Sequence, residues 1–472
     1  MPLLGLELSD AGIMAAGGEP ARLLEIEGSE KESPGFAIPQ NGQLIVGNDA
    51  RSKARLYPRL YTNHFWDELS AEPLKQLGLE DKNNAELAYH HLSKIWNVIK
   101  KQGNELVIAV PGYFTQRQLG LILGIARELS IPLKGFAAIA VAASSNPYPD
   151  KLLFHLDIHL HRIEITFLEQ NNYLLHKNTE TLPGKGLNYL YAEWVKAVAD
   201  EFVRTTRFDP FDKAIYEQEL YTRMPQILKD IQRNSSVLFS MKAGSQTYHV
   251  TLTYDLFAKI GQSVFREVFR TIETMAGKYH ATEKLLVVEA THRVGLLPGY
   301  KDEAGMMSNI QCVELIPGSG ALGILQLKER FTGQTSDHGV AFITSRPWNI
   351  SHQSPGLSTG TSSSVISLLP THILYGALAY LITAKPLFII QGSTGDIHIS
   401  TDDKEKENLP GYCTVQLEDD GVLLTDYGID GGAFVDNKKV QGKIIVKRGQ
   451  TIRIGTSGEK LQLITCVESD EA

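Results

Sequence analysis

The sequence predicts an α/β protein, internally duplicated around a central cleft and followed by a C-terminal all-β sandwich. Three observations lead there. Short strands alternate with amphipathic helices through residues 1–330, and the pattern that opens the chain restarts near residue 152. Beyond Phe331 the helical period gives way to short strands set apart by Asp, Gly and Asn turns. At about 150 residues per domain, a chain of 472 residues has room for a large two-lobed domain and a small one. The expected layout is a domain over 1–330, a linker over 331–364 and a β-sandwich over 365–472.

Residues 4–8 and 12–16 read as strands joined by the polar Ser9-Asp10 turn, with further strands at 21–26 and 43–46. A helix is predicted over 85–101, where Leu87, Leu92, Ile95, Trp96 and Ile99 form one apolar stripe and His90-His91 reads as its solvated face. A buried strand over 105–110 ends at Pro111-Gly112, and Thr115 is placed to cap the helix that follows. The restart brings strands at 152–156, 163–168 and 173–177, then helices near 187–203 and 213–234. An antiparallel pair at 235–241 and 248–253, a long helix over 254–276, a strand at 284–288 and a helix over 318–327 complete the first domain. The stretch 353–364 is rich in Ser, Gly, Thr and Pro and reads as flexible linker. Strands are expected after it at 415–417, 422–425, 433–435, 443–446, 451–454 and 461–467.

Composition narrows the function. Hydrophobic residues make up 43% and charged residues 21%, which suits a folded chain with a sizeable core. The net charge of −8 opposes general binding to nucleic acid or to anionic membranes. Cys312, Cys413 and Cys466 are too few and too scattered for a disulfide framework or a cysteine-rich zinc site. The first ten residues lack the basic start and apolar core of a signal peptide. The most membrane-like stretch, 373–390, is interrupted at Lys385-Pro386, short of the ~20 residues a span requires. A cytoplasmic protein with no membrane insertion and no nucleic-acid partner is expected.

Val107-Ile108-Ala109-Val110-Pro111-Gly112-Tyr113-Phe114, followed by Thr115-Gln116-Arg117-Gln118, resembles the strand–turn–helix of the seventy-kilodalton heat-shock chaperones. Gly5-Leu6-Glu7-Leu8-Ser9-Asp10 lies where that family has its first phosphate loop. Leu156-Asp157-Ile158-His159-Leu160-His161-Arg162-Ile163-Glu164 lies where it has its second. Val287-Val288-Glu289-Ala290-Thr291-His292-Arg293-Val294 resembles its adenosine-contacting segment. These matches fall in the family's order across 1–330, so the resemblance implies the duplicated actin-like ATPase fold, two lobes around a nucleotide cleft.

In that fold phosphates lie against glycine-rich hairpin turns, because backbone N–H groups must come close to the anion and side chains would stand between them. This sequence departs from the pattern at each loop. Glu7 matches the acidic residue that positions magnesium, but Ser9-Asp10-Ala11 replaces Gly-Thr-Thr and puts the Asp10 carboxylate where an anion would sit. Asp157-Ile158-His159-Leu160-His161-Arg162 replaces the second loop's Asp-Leu-Gly-Gly-Gly-Thr. Glu289-Ala290 replaces the paired glycines near the adenosine, and Phe136-Ala137-Ala138 replaces an Asn-Glu-Pro that carries a catalytic-network carboxylate. Hydrolysis is therefore expected to be lost, binding with it, and no cofactor is expected. Should ATP and magnesium bind in an altered pose, the candidates are Glu7, Ser9, Asp10, Asp157, His159, His161, Arg162, Thr291 and Arg293. Gly184 and Gly186, flanking Lys185, and Gly318 before the last helix would add N–H donors.

His155, Asp157, His159 and His161 alternate along one strand, but same-face side chains there are ~6.6–6.8 Å apart, too wide to share one ion without a turn. No metal site is expected. No Gly-x-Ser-x-Gly elbow and no Cys with a local His partner is present either, so no catalytic residue is assigned.

Farther on, Val422-Leu423-Leu424-Thr425-Asp426-Tyr427-Gly428, Gly431-Gly432-Ala433-Phe434-Val435-Asp436-Asn437 and Arg448-Gly449-Gln450-Thr451-Ile452-Arg453-Ile454-Gly455 resemble the turns of a forkhead-associated domain. Such domains grip phosphothreonine peptides through an Arg after a Gly and a Ser in a later loop. Gly392-Ser393 and Leu409-Pro410-Gly411-Tyr412 stand at those places, leaving Ser393, Tyr412 and Asn437 as candidate peptide-binding loop residues. Nothing after residue 330 resembles the chaperones' substrate-binding domain or lid. The two resemblances imply a catalytically inactive, bacterial-type chaperone-like pseudo-ATPase that serves as a protein-interaction or regulatory scaffold. A divergent ATP-binding chaperone ATPase and a phosphothreonine-dependent adaptor are the alternatives.

Overall fold

A computed structural model describes residues 2–279, 285–331, 340–348, 370–375, 378–383, 385–391, 397–400, 412–418, 421–427, 432–436, 438–440, 442–447, 450–454 and 460–464. Among these residues the chain is mixed α/β, with ten α-helices and several open sheets. It divides into two compact units, Met1–His352 and Gln353–Ala472.

Two sheets of the first unit repeat one strand order. In the first, Leu3–Glu7 pairs antiparallel with Ile13–Gly17, and that strand with Arg22–Leu23. On its other side Leu3–Glu7 pairs parallel with Glu105–Val110, and that strand with Leu133–Ala138. In the second sheet Leu152–Ile158 pairs antiparallel with Arg162–Gln170, and that strand with Tyr173–Pro183. On its other side Leu152–Ile158 pairs parallel with Leu286–Ala290, which pairs parallel with Ile310–Glu314. The central parallel strands are buried on both faces, hence their unbroken apolar runs such as Leu106 to Val110.

Helices cover these sheets. Asn84–Ile99 and Gln116–Glu128 both start with a full capping box, Asn83 with Glu86 and Thr115 with Gln118. Leu187–Thr206, Ala214–Asn234 and Tyr254–Lys278 lay Trp194, Phe202, Phe257, Phe265 and Phe269 in one core with Phe154, Leu156 and Ile158 of the second sheet. That arrangement leaves the opposite face of Leu152–Ile158, with His155 and Asp157, turned away from the helices. No helix among the described residues is long and apolar enough to cross a membrane.

Several expectations need correction. Residues 341–347, expected as linker, add a strand to each sheet: Ala341–Ile343 beside Leu133–Ala138, and Ser345–Pro347 beside Tyr173–Pro183. Burial of Phe331 and Ile343 with Ile324 and Leu327, and of Trp348 with Leu168 and Leu174, holds them there. The Ser- and Gly-rich stretch 353–364 lies outside the described residues. The strand expected over 21–26 shortens to Arg22–Leu23, since the chain leaves the ladder after Leu24 N–H donates to Ala15 O. His91 is buried rather than solvated. Trp66 Nε1 donates to its Nδ1 at 3.0 Å, and its Nε2 lies 2.7 Å from Ser33 Oγ.

Among its described residues the strands of the second unit pair antiparallel. His372–Tyr375, Lys460–Ile464, Thr451–Ile454 and Ala433–Val435 belong to one sheet; Leu387–Gln391, Tyr412–Glu418, Gly421–Asp426 and Lys443–Val446 belong to another. Ile389, Val415, Leu424, Ile452, Ile454 and Leu463 from the two sheets share one core. The apolar stretch 373–390 is thus spent on short strands of this core.

Candidate functional site

The turn after Leu3–Glu7 and the hairpin turn between Leu152–Ile158 and Arg162–Gln170 meet in the space between the first unit's two sheets, and His159 is where they converge. Its Nδ1 lies 3.2 Å from Ser9 Oγ and 3.4 Å from Asp10 Oδ1. Its Nε2 lies 3.8 Å from Asp157 Oδ2 and 3.6 Å from Glu164 Oε2. The Tyr113 ring stands at 90° to the imidazole, with centroids 5.3 Å apart. Ser9, Asp10, Asp157, His159 and Glu164 are all buried.

Two backbone donors beside the network are engaged by carboxylates of the chain itself. Leu160 N–H, in the second turn, donates to Asp10 Oδ1 at 2.8 Å. Gly320 N–H, at the start of the helix Ser319–Gln326, donates to Glu7 Oε2 at 2.9 Å. The turn carrying Gly184 and Gly186 closes on the same loop, with Gly184 N–H on His161 O and Leu187 N–H on His159 O. Gly186 is required by that approach, because a Cβ there would lie 2.4 Å from the Leu160 carbonyl oxygen. Gly318, with φ of +67°, shapes the entry to Ser319–Gln326 and packs against Leu23.

Arg293 is the second buried cation. Its Nε lies 2.7 Å from Glu32 Oε1, its Nη1 3.4 Å from Glu7 Oε1 and 3.8 Å from Asp157 Oδ1, and its Nη2 donates to Gly12 O. Thr291 Oγ1 donates to Asp157 Oδ1 at 2.8 Å. Burial alone would discharge His159, yet Asp157, Asp10 and Glu164 lift its pKa to about 10. Against the same burial, the charge on His159 holds Asp10, Asp157 and Glu164 below the usual carboxylate range. Glu7 moves the other way: burial raises it, and the Arg293 guanidinium offsets only part of that.

Four buried carboxylates, Glu7, Asp10, Asp157 and Glu164, thus share two cations, His159 and Arg293. A phosphate placed here would add negative charge to a surplus of carboxylates and would meet occupied N–H donors. A metal ion between Asp157 and Glu164 would have to displace the imidazolium already lying between them.

The remaining sequence candidates lie elsewhere. His161 stacks on His64, and Arg162 Nε pairs with Asp67 Oδ1 at 2.7 Å while its guanidinium lies 4.5 Å above the Tyr113 ring. Both turn toward residues 63–67 instead of toward His159. Glu289, in register with His155, accepts from Ser144 Oγ, and from Tyr148 Oη at 3.1 Å; burial raises its pKa to about 7. A cleft of about 490 Å³ adjoins the network, sharing Glu32, Leu160 and Arg293 with it, and is bordered also by Phe36, Tyr191, Tyr221, Arg51 and Lys229. In the second unit Tyr412 begins the strand Tyr412–Glu418 and so is not a loop residue, because its backbone pairs with Ile390. Ser393 and Asn437 lie outside the described residues.

Glu164, Glu32 and Tyr113 complete the network without having been singled out as site residues. For Glu164 a signal exists: it and Thr166 alternate with Ile163, Ile165 and Phe167, so polar side chains point inward from a strand buried on both faces. Glu32 carries no such mark, since only the fold brings it to Arg293. A scan against protein-family models finds no match, and no curated protein matches the chain.

Proposed function

We propose that the chain is a pseudo-ATPase of the heat-shock-chaperone-like, actin-like type, joined to a forkhead-associated-like unit. In this reading it works as a cytoplasmic protein-interaction or regulatory scaffold that neither binds nor hydrolyses ATP and has a protein as its partner. The repeated strand order of the two sheets supports the duplicated fold. The observation that carries the loss of nucleotide binding is the pairing of Leu160 N–H with Asp10 and of Gly320 N–H with Glu7. Carboxylates of the chain stand where phosphate oxygens would be received, and exchanging them for a phosphate would leave buried charges without partners.

Thermal unfolding of the full chain with millimolar Mg-ATP or Mg-ADP tests this. A nucleotide present at ~100 times its dissociation constant adds about 2.7 kcal/mol of stability, worth several degrees in a domain of this size. No shift with either nucleotide, and no release of phosphate, is the expected result. A clear shift would overturn the reading and favour a divergent ATP-binding ATPase, for which the 490 Å³ cleft with Arg51, Lys229 and Arg293 is the natural place.

A further inference from the structure

A second polar cluster joins the two halves of the first unit, next to the His159 network and linked to it by Arg162, which pairs with Asp67 and lies over the Tyr113 ring. His64, Asp67 and Glu68 fall at i, i+3 and i+4 of one turn, and one donor atom from each lies within 4.8 Å of the others. His161, outside that three-residue group, lies against His64 from the turn before Arg162–Gln170. Its ring stacks on that of His64, with centroids 3.5 Å apart and planes 20° from parallel.

The surroundings of the cluster match what holds metal ligands in place. His161 Nε2 lies 3.1 Å from the Asn63 carbonyl oxygen, which can only accept. Asn188 Nδ2 lies 3.5 Å from the same nitrogen, so two neighbours hold the ring by its Nε2 edge and leave the Nδ1 edge for a ligand. Arg162 Nε fixes one oxygen of the buried Asp67 carboxylate at 2.7 Å and leaves the other to act as a donor. His64 and Glu68, whose side chains are 48% and 64% exposed, give an ion access from solvent.

We propose that His64, Asp67, Glu68 and His161 form a binding site for a divalent transition metal, with zinc the best match. Two imidazoles and two carboxylates make a four-donor nitrogen and oxygen set, which suits zinc better than magnesium or calcium, ions that take oxygen donors alone. Binding requires the stacked rings to turn until each donor is about 2.0–2.1 Å from the ion, a movement of side chains that the exposed His64 can make. The site ties residues 63–68 to the turn of the second sheet, and it does so whether or not the nucleotide reading is right.

The test uses the full, tag-free chain stripped with a chelator and titrated with zinc by calorimetry, with magnesium and calcium as controls. Cobalt serves as a visible probe of the same donors. One zinc per chain is expected, with affinity ~10–100-fold weaker in His64→Ala and in Glu68→Gln, both exposed substitutions that leave the fold intact. A cobalt spectrum of nitrogen and oxygen ligation in the parent chain should be missing from the His64→Ala/His161→Ala variant. Absence of one-site zinc binding at micromolar concentrations would overturn the proposal. So would equal affinity in the parent chain and in His64→Ala/Glu68→Gln, or magnesium binding as tightly as zinc.

Discussion

Replacing Glu289 with Gln is expected to stabilise the first unit at high pH and to change little at low pH. Glu289 is buried beneath Ser144 and Tyr148, and burial lifts its pKa from 4.5 to about 7 despite the two hydroxyl donors and Arg346. Between those two values the folded chain binds more protons at this site than the unfolded chain does. The contribution of Glu289 is therefore fully present below pH 4.5 and is lost as pH rises through 7. At ~1.4 kcal/mol per pH unit, the interval amounts to roughly 3 kcal/mol. Glutamine stays neutral, accepts from one hydroxyl and donates to the other, so Glu289→Gln keeps the contacts and removes the titration.

The slope of the parent chain alone cannot be read, because His91 and His292, pushed down by burial to about 3 and about 4, work in the opposite direction over the same range. The quantity to measure is the difference in denaturant unfolding between Glu289→Gln and the parent at a series of pH values from 4.5 to 8. Contributions common to both chains cancel in it. A difference that grows by roughly 3 kcal/mol toward pH 8 is expected. A difference flat to within about 0.5 kcal/mol, or one that grows toward low pH, would refute the assignment of a proton to Glu289.

Arg293→Met should cost about 3–5 kcal/mol in denaturant unfolding, because it leaves the buried Glu7 without its cation and Asp157 with His159 alone; Arg293→Lys, which cannot serve Glu7, Glu32 and Gly12 O together, should recover only part, and an unchanged midpoint in either variant would rule the bridge out. His91→Phe should cost about 1–3 kcal/mol by stranding the indole N–H of Trp66 near neutral pH. Below pH 6.5 its deficit should shrink, since the stability that neutral His91 provides is present above 6.5 and lost as pH falls toward 3; a deficit that widens in acid would contradict the neutral, buried imidazole.

Much of the fold is legible where the cause is local. The helices Asn84–Ile99, Leu187–Thr206, Ala214–Asn234 and Tyr254–Lys278 announce themselves by apolar stripes, and the first also by its cap, signals that depend on neighbours within a turn or two. Leu133–Ala138 and Ile139–Ala143 do not, because Gly135-Phe136-Ala137-Ala138-Ile139-Ala140-Val141-Ala142-Ala143 is apolar without a period. Pairing with Glu105–Val110 decides where its strand stops and its helix starts. The strands of 341–347 escape for the same reason: only the edges they join make them strands.

By itself the sequence determined which side chains the turns and strands carry. That 158–162 hold no glycine and that Asp10, His159 and Glu289 are ionisable are matters of side-chain type and need no coordinates. Only the tertiary structure decided what those side chains do. It sets His159 among Asp10, Asp157 and Glu164 and so keeps it charged, sends Glu289 to Ser144 and Tyr148, and buries Arg293 against Glu7. Ser9 and His159 are 150 positions apart and Glu7 and Arg293 are 286 apart. Coulomb and hydrogen-bond energies depend on separations of a few ångströms and on burial, and over such spans along the chain both exist only once the two sheets have come together.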